Sequence, residues 1–352
     1  ELFYRAINLL VENAHLTFLA IGVPAMLAFA IVTPPGFGGD EMSHTLRAYS
    51  ISQGHLFTVN NSVPTNLKAT VELGWNIAES APWGKSIYGR KDIDIESRRK
   101  LSELGSLSLT ESSSTTVKFN NTDPYPPVVY IGAAVGFKIS EALDLTVGSS
   151  IIVARILNSL PFFILGALAL FMLRKNTVKW ILFTILLLPT VLSYTGTING
   201  DPYNIASVAL FIAVFLNNLR SKDKISKKQL LMLATSSILL SFAKLPSVML
   251  LGLLFFLGRD RFGGLKNKWL IVSGIVVLSL ILFFASMRAG FTDVMGNSTS
   301  SDKIAWSIVH PAETAALFGR TLLIESPDYI NRAVGVMGRN GVYIHSLVIL
   351  IL

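Results

Sequence analysis

An all-α, polytopic membrane protein is the fold class that the sequence predicts, and three observations predict it. Hydrophobic residues make up 51% of the 352-residue chain and charged residues only 15%. Apolar runs of bilayer-spanning length, about 20 residues, recur along it. Lys and Arg gather in the short loops between those runs, as the positive-inside rule expects. The formal charge of +8 is therefore explained by topology and calls for no nucleic-acid partner. A β-barrel would show ten-residue segments of alternating hydrophobicity, and none is seen. With no cysteine in the chain, disulfides and thiol chemistry are excluded.

The elements follow in order. Residues 15–33 read as the first span, with Arg5 before it on the inner side. Ala28-Phe-Ala30 resembles a signal-peptidase site, but the segment is read as a retained span. Residues 34–124 are too rich in Ser, Thr and Asn for a membrane and form a first extracytoplasmic loop. Three basic clusters mark inner loops: Arg174/Lys175/Lys179, Arg220/Lys222/Lys224/Lys227/Lys228 and Arg259/Arg261/Lys266/Lys268. The loops between them, 195–202 and 244–247, carry only Lys244.

This asymmetry imposes a parity. Loop 34–124 is outside and 174–179 inside, so an odd number of crossings separates them. Residues 149–173 span easily. The stretch from Pro126 to Phe137 is too short and too Gly-rich to cross, so 126–143 is expected as a juxtamembrane or re-entrant helix on the outer side, with Pro in its first turn. Spans are then expected at 179–195, 203–219, 229–243, 246–257 and 268–287, the Lys244-Leu-Pro246 break dividing the 229–257 run. A second extracytoplasmic loop covers 288–341, with an amphipathic helix around Ala305–Leu323. A last span begins near Val342. The chain ends inside that apolar run, so further spans are expected beyond Leu352 of what reads as a single transmembrane domain, 1–352.

The stretch Gly38-Gly39-Asp40-Glu41 follows the first span and opens a short helix. Glu41, His44 and Arg47/Ala48 share one face of it. Ionisable groups at a membrane boundary point to function, whereas acids at a helix start are also favoured by its dipole; both readings stay open. With the expected topology, the other polar residues at span ends fall on the same outer side: Arg155 and Asn158, Asn199-Gly200-Asp201-Pro202-Tyr203, Lys244 and Arg288. Each has a bland alternative. Arg155 can snorkel, Asn199-Gly200-Asp201-Pro202 can be a tight turn, and Lys244 can bond helix-end carbonyls.

The order of these motifs resembles the GT-C superfamily of membrane glycosyltransferases. The carboxylate pair after the first span carries the resemblance. It is reinforced by Tyr125-Pro-Pro-Val-Val-Tyr130 late in the loop, Arg155-x-x-Asn158, Asn199-Gly-Asp201 and Lys244-Leu-Pro246. Together they are most similar to a bacterial branch described only as predicted membrane proteins of unknown function, over roughly residues 15–260. The resemblance implies a GT-C-like helical bundle and an inverting transferase on the extracytoplasmic face. Its donor would be a polyprenyl-phosphate-linked sugar and its acceptor a cell-envelope glycan or lipid.

In that scheme Asp40 or Glu41 is the general base, with Asp40 the first choice, since a partly desolvated carboxylate is the better base. Lys244, then Arg288 and Arg155, would hold the donor phosphate, with Arg320 and Arg339 as further candidates from the second loop. Asp201 either binds a divalent cation or holds Arg155, and no other cofactor is implied. His44, Arg47, Tyr125, Asn158 and Asn199 support the site. Two rivals remain. A secondary transporter or flippase of envelope precursors would place charges at the bilayer midplane with repeat symmetry. A ligase or polymerase with a diphosphate-linked donor would need more cations.

Overall fold

A computed structural model of the chain describes residues 13–57, 60–80, 95–118, 122, 125–286, 300–337 and 342–343. In chain order they form α1 Ala14–Val32, α2 Glu41–Ser52, β1 Asn60–Pro64, α3 Thr65–Ser80, α4 Ile95–Ser106 and β2 Ser114–Lys118. A 3₁₀ turn, Pro127–Tyr130, leads into α5 Ile131–Ala142 and then α6 Val147–Met172, α7 Lys179–Leu186, α8 Pro189–Thr195, α9 Asp201–Arg220 and α10 Lys227–Ser241. After α11 Leu245–Val248 come 3₁₀ segments Met249–Phe256 and Arg259–Phe262, α12 Leu265–Ser286, α13 Ser300–Val309, α14 Pro311–Gly335, and the short strands β3 Val336–Met337 and β4 Val342–Tyr343. The expected positions of Arg5, Arg288, Arg339 and the apolar run after Tyr343 lie outside the described residues.

Among the described residues four helices, α1, α6, α9 and α12, are long and apolar enough to cross a membrane. Central among them is α6, which packs against α1, α5 and α9. Phe18 of α1 meets Phe162 and Phe163 of α6 with ring centroids 5.7 and 5.5 Å apart, filling the seam with buried aromatic surface. Outward faces carry exposed apolar side chains, among them Ile21, Ile31, Ile164, Leu270 and Ile281. Lipid-facing helices have this composition because tails are as apolar as the side chains they touch.

The helix expected at 126–143 is present as the Pro127–Tyr130 turn plus α5. Its glycines have a packing reason. A Cβ on Gly132 would stand 2.2 Å from Leu157 O, and one on Gly136 2.6 Å from Ala154 Cα. The backbones of α5 and α6 therefore approach over a small-x-x-x-small surface. On its other side α5 leaves Ile131, Val135 and Ile139 exposed as an apolar stripe at four-residue spacing.

Three expectations need correction. The first loop is not merely polar coil on an all-α protein: β1 and β2 pair antiparallel, Asn60 opposite Lys118 through Pro64 opposite Ser114. The β-branched run Thr115-Thr116-Val117 suits that strand. The run 179–195 is two helices, because Pro189 lacks the amide a continuous helix would need and biases Leu188 away from helical backbone. The amphipathic helix at 305–323 is likewise two pieces, broken at His310-Pro311, and the second continues to Gly335.

The 229–257 run does fold back on itself, though neither half is a long α-helix. α10 has 15 residues, about 22 Å at 1.5 Å per residue. The return path has four α-helical and eight 3₁₀ residues, also about 22 Å because 3₁₀ rises 2.0 Å per residue. Twelve residues thus return the chain over the length that fifteen covered.

All three basic loops consequently meet at one end of the bundle. Asn217 Nδ2 donates to Met172 O at 3.0 Å, and Ile225 N–H donates to Arg261 O at 2.9 Å. Arg261, nearly buried, donates through Nε to Asp223 O at 3.1 Å and through Nη1 to Asn218 O. The starts of α2 and α9, and Lys244, lie at the opposite end.

Replacing Gly136 by Leu should force α5 off α6, costing about 1–3 kcal/mol as overpacking does. Gly252→Ala, where a Cβ meets nothing within 4 Å, is the control. Thermal unfolding in detergent should show a Tm fall for the first and none for the second; equal Tm values would refute the close-approach account.

Candidate functional site

A buried ion pair organises the end of the bundle opposite the basic loops. Glu41 is 0% exposed and Arg155 1%. Arg155 Nε donates to Glu41 Oε1 and Nη2 to Oε2, both at 2.7 Å. This bidentate fork matches the planar guanidinium to the carboxylate. Glu41 further accepts from the N–H groups of Gly36 at 3.1 Å, Gly38 at 3.3 Å and Ile198 at 3.2 Å. Arg155 donates its remaining N–H groups to the carbonyls of Ala30 at 2.9 Å, Thr33 at 2.6 Å and Pro34 at 3.1 Å. All five guanidinium donors are engaged, so the pair welds the end of α1, the 34–40 turn, α2, α6 and the 196–200 turn.

Asp40 has a different environment. It is exposed and stands just before α2 with φ 55° and ψ 12°, in the left-handed region. Asp tolerates that conformation better than most residues, yet it remains a strained position of the kind found at functional sites. Its side chain makes no helix-capping bond. Glu41 is thus saturated inside, while its neighbour presents a carboxylate outside.

Lys244 Nζ lies 2.5 Å from Asp201 Oδ1, both side chains roughly two-fifths exposed. Lys244 also sits over the Tyr125 ring, 5.5 Å from its centroid. Burial draws the Lys244 pKa down, but Asp201 and Tyr125 outweigh it and hold the amine above its usual range. Lys244 is a fixed cation. Burial is also the largest influence on Tyr125 and raises its phenol.

Beneath them His44 is buried. Its Nδ1 and the Tyr130 hydroxyl share a hydrogen bond of 2.6 Å, and Tyr125 meets its ring edge-on at 5.1 Å. Burial lowers the His44 pKa to about 4, against the upward pull of Asp201, Asp40 and Glu41. His44 is therefore neutral near pH 7. Asp40, Asp201 and Lys244 act on both His44 and Tyr125, so the three charges belong to one cluster. A cavity of about 200 Å³ opens beside Lys244, walled by Pro126, Val129, Phe242, Leu245 and Phe283, with Asn204 on its polar side. One cation, a nearby exposed carboxylate and an apolar pocket form a place for an amphiphilic anion.

The structure redistributes the residues singled out by sequence. Glu41 and Arg155 are removed from the roles of base and phosphate ligand, since each is buried and fully engaged by the other and by backbone. Asp201 holds Lys244, not Arg155. Asn158 donates to Asn199 O at 2.9 Å, and Asn199 accepts from Asp201 N–H at 2.9 Å and donates to Tyr194 O at 3.0 Å. Both asparagines shape the turn before α9. Arg47 is fully buried and donates to Leu56 O at 2.6 Å, securing the end of α2. Arg320 is exposed on α14, with no hydrogen bond or ion pair to the cluster among the described residues. Among the same residues no three His, Asp or Glu side chains gather to hold a metal ion; Asp201 forms an ion pair with Lys244.

Two residues escaped the sequence reading. Asn204 Oδ1 accepts from Lys244 N–H at 3.1 Å and Ser247 Oγ at 2.7 Å, starting α11 at the right place. Its position three residues after Asp201, on the same helix face, was the available signal. Tyr130, the partner of His44, stands inside the quoted Pro-Pro motif, but only folding reveals what it touches.

Removing one member of the buried pair leaves the other uncompensated, at a cost of about 3–5 kcal/mol. Glu41→Gln and Arg155→Met should each collapse stability, and the double variant should lose less than the sum of the two. Additive losses in a double-mutant cycle would argue against direct coupling.

His44 gives a pH prediction. Between about pH 6.5 and 4 the unfolded chain binds a proton there that the folded chain does not. Its contribution to stability is therefore complete above the unfolded pKa and is lost as pH falls across that window. Tm measured from pH 7 to 4 should drop on the acid side, and less steeply for His44→Gln. Parallel curves would place the sensitivity elsewhere.

No curated protein and no solved structure matches the chain. The model of the family described as Predicted membrane protein (DUF2142) matches residues 25–351, nearly the whole chain. A membrane protein with at least four bilayer-length helices and a polar cluster at one end of the bundle, it belongs to that family.

Proposed function

We propose that the protein is an inverting glycosyltransferase of the GT-C kind. It uses a polyprenyl-phosphate-linked sugar to modify a bacterial cell-envelope glycan or lipid on the extracytoplasmic face. The carrying observation is the exposed Asp40 carboxylate, on strained backbone, in one cluster with Lys244 and the apolar cavity beside it. The basic loops at the far end support the sidedness, because positively charged loops stay inside. The exposed stripe of α5 suits a helix lying in the membrane interface.

Each group has a role in this reading. Asp40 takes the proton of the acceptor hydroxyl as its oxygen attacks the anomeric carbon. The bond from that carbon to the phosphate oxygen breaks, and the configuration inverts. Lys244 offsets the charge that develops on the departing lipid phosphate. The cavity walls of Phe242, Leu245 and Phe283 take the adjoining part of the lipid chain. His44, neutral and bonded to Tyr130, positions Tyr125 under Lys244 without changing charge near pH 7.

Asp40→Asn and Asp40→Gly should both abolish sugar transfer from a polyprenyl-phosphate sugar by the purified protein. Asn and Gly accept left-handed backbone, so Tm should hold, or rise slightly for Gly. Transfer at the unmodified rate by either variant would remove Asp40 as the base. Lys244→Ala should weaken binding of the lipid donor by about tenfold or more, the scale of a lost charge-assisted bond; unchanged affinity would move the phosphate site elsewhere.

A further inference from the structure

The proposed reaction changes the charge of the bound lipid. Its donor is a phosphodiester carrying one negative charge. Cleavage of the sugar–phosphate bond leaves a phosphomonoester, which near pH 7 carries close to two. The acceptor proton passes to Asp40 and does not neutralise the new charge. A site with a bare lysine would hold that product more tightly than the donor and would be inhibited by it.

Lys244 is not bare. Asp201 Oδ1 lies 2.5 Å from its Nζ, and Asp201 is fixed at the first turn of α9, its own N–H bonded to Asn199 Oδ1 at 2.9 Å. Asn204, one turn further along α9, holds the Lys244 backbone at 3.1 Å. The amine and the carboxylate are thus locked together by their backbones, so an anion reaching Lys244 from the cavity must approach Asp201 as well. Both side chains are about two-fifths exposed, leaving room for one further ligand.

We propose that Asp201 is the residue that discriminates lipid phosphodiester from lipid phosphomonoester, repelling the dianionic product and promoting its release. The inference rests on the reading of Lys244 as the phosphate ligand. Asp201 touches neither of the reacting bonds. Its contribution is one fixed negative charge beside the cation, which costs a dianion more than a monoanion.

The test is a binding experiment that needs no turnover. Farnesyl phosphate and farnesyl methyl phosphate supply the monoester and diester with the same chain. Their Kd values are measured on purified wild type, Asp201→Asn, Asp201→Glu and Lys244→Ala at pH 7.5. For Asp201→Asn the ratio of monoester Kd to diester Kd should fall by about five- to tenfold, the effect of removing one like charge at contact range. Asp201→Glu keeps the charge and should retain most of the wild-type ratio. An unchanged ratio in Asp201→Asn, with both esters still weakened by Lys244→Ala, would overturn the role of Asp201 and leave the phosphate site standing. Failure of either ester to bind wild type through Lys244 would overturn both. The amide variant preserves the backbone bond to Asn199, and its Tm should match wild type; a fall in Tm together with an unchanged ratio would assign Asp201 to structure alone and overturn the proposal.

Discussion

The Glu41–Arg155 pair is the constraint on which the rest of this structure depends. Two charges withdrawn from water repay their desolvation only if every remaining donor and acceptor is satisfied. Here that satisfaction comes almost entirely from backbone: three N–H groups on the carboxylate and three carbonyls on the guanidinium. These groups belong to turns and to a helix end, where backbone donors and acceptors are left over from regular ladders. Ala30 and Thr33 end α1, Gly36 and Gly38 form the turn after it, and Ile198 lies 157 residues beyond Glu41. One ion pair therefore sets the geometry of several elements at once.

The pair also explains why two adjacent carboxylates differ. Holding Glu41 inward requires the chain to reverse sharply between α1 and α2, and the reversal falls on Asp40, whose φ is positive. The same turn that buries one side chain exposes the other. Strain at Asp40 is then a by-product of the clamp, and so is the placement of its carboxylate near Lys244. Burial likewise separates the imidazole from the amine: His44 stays neutral beneath the cluster, while Asp201 keeps Lys244 charged. A cation, a carboxylate and a neutral ring thus coexist within one field without neutralising one another.

Much of the architecture was legible before folding. Hydropathy located the four long helices, and the basic clusters ordered the loops by side. Asn217–Met172 and Arg261–Asp223 bring those loops together, as topology by charge expects. The expected break at Lys244-Leu-Pro246 is real, for proline cannot continue the α10 helix. What pattern could not supply was the 3₁₀ path of Met249–Phe256: its composition is that of any apolar helix, and the choice of rise depends on the length to be covered beside α9 and α12. The β1–β2 pair was equally hidden, because its strands are five residues each and separated by fifty residues of sequence.

For the site, the sequence by itself determined which residues carry charge and that Asp40, Glu41, Arg155, Asp201 and Lys244 belong to one end of the molecule. Charge placement alone settles that much, since an ionisable group avoids the bilayer interior and loop polarity orders the ends. Only the tertiary structure decided who pairs with whom. Arg155 is 114 residues from Glu41 and Lys244 is 43 from Asp201, and a one-dimensional pattern has no term for such contacts. It assigned Arg155 to phosphate and left the base undecided between Asp40 and Glu41. Burial separates the two kinds of charge: Glu41 and Arg155 are enclosed with all their hydrogen bonds satisfied and hold the fold together, whereas Asp40, Asp201 and Lys244 stay accessible to solvent.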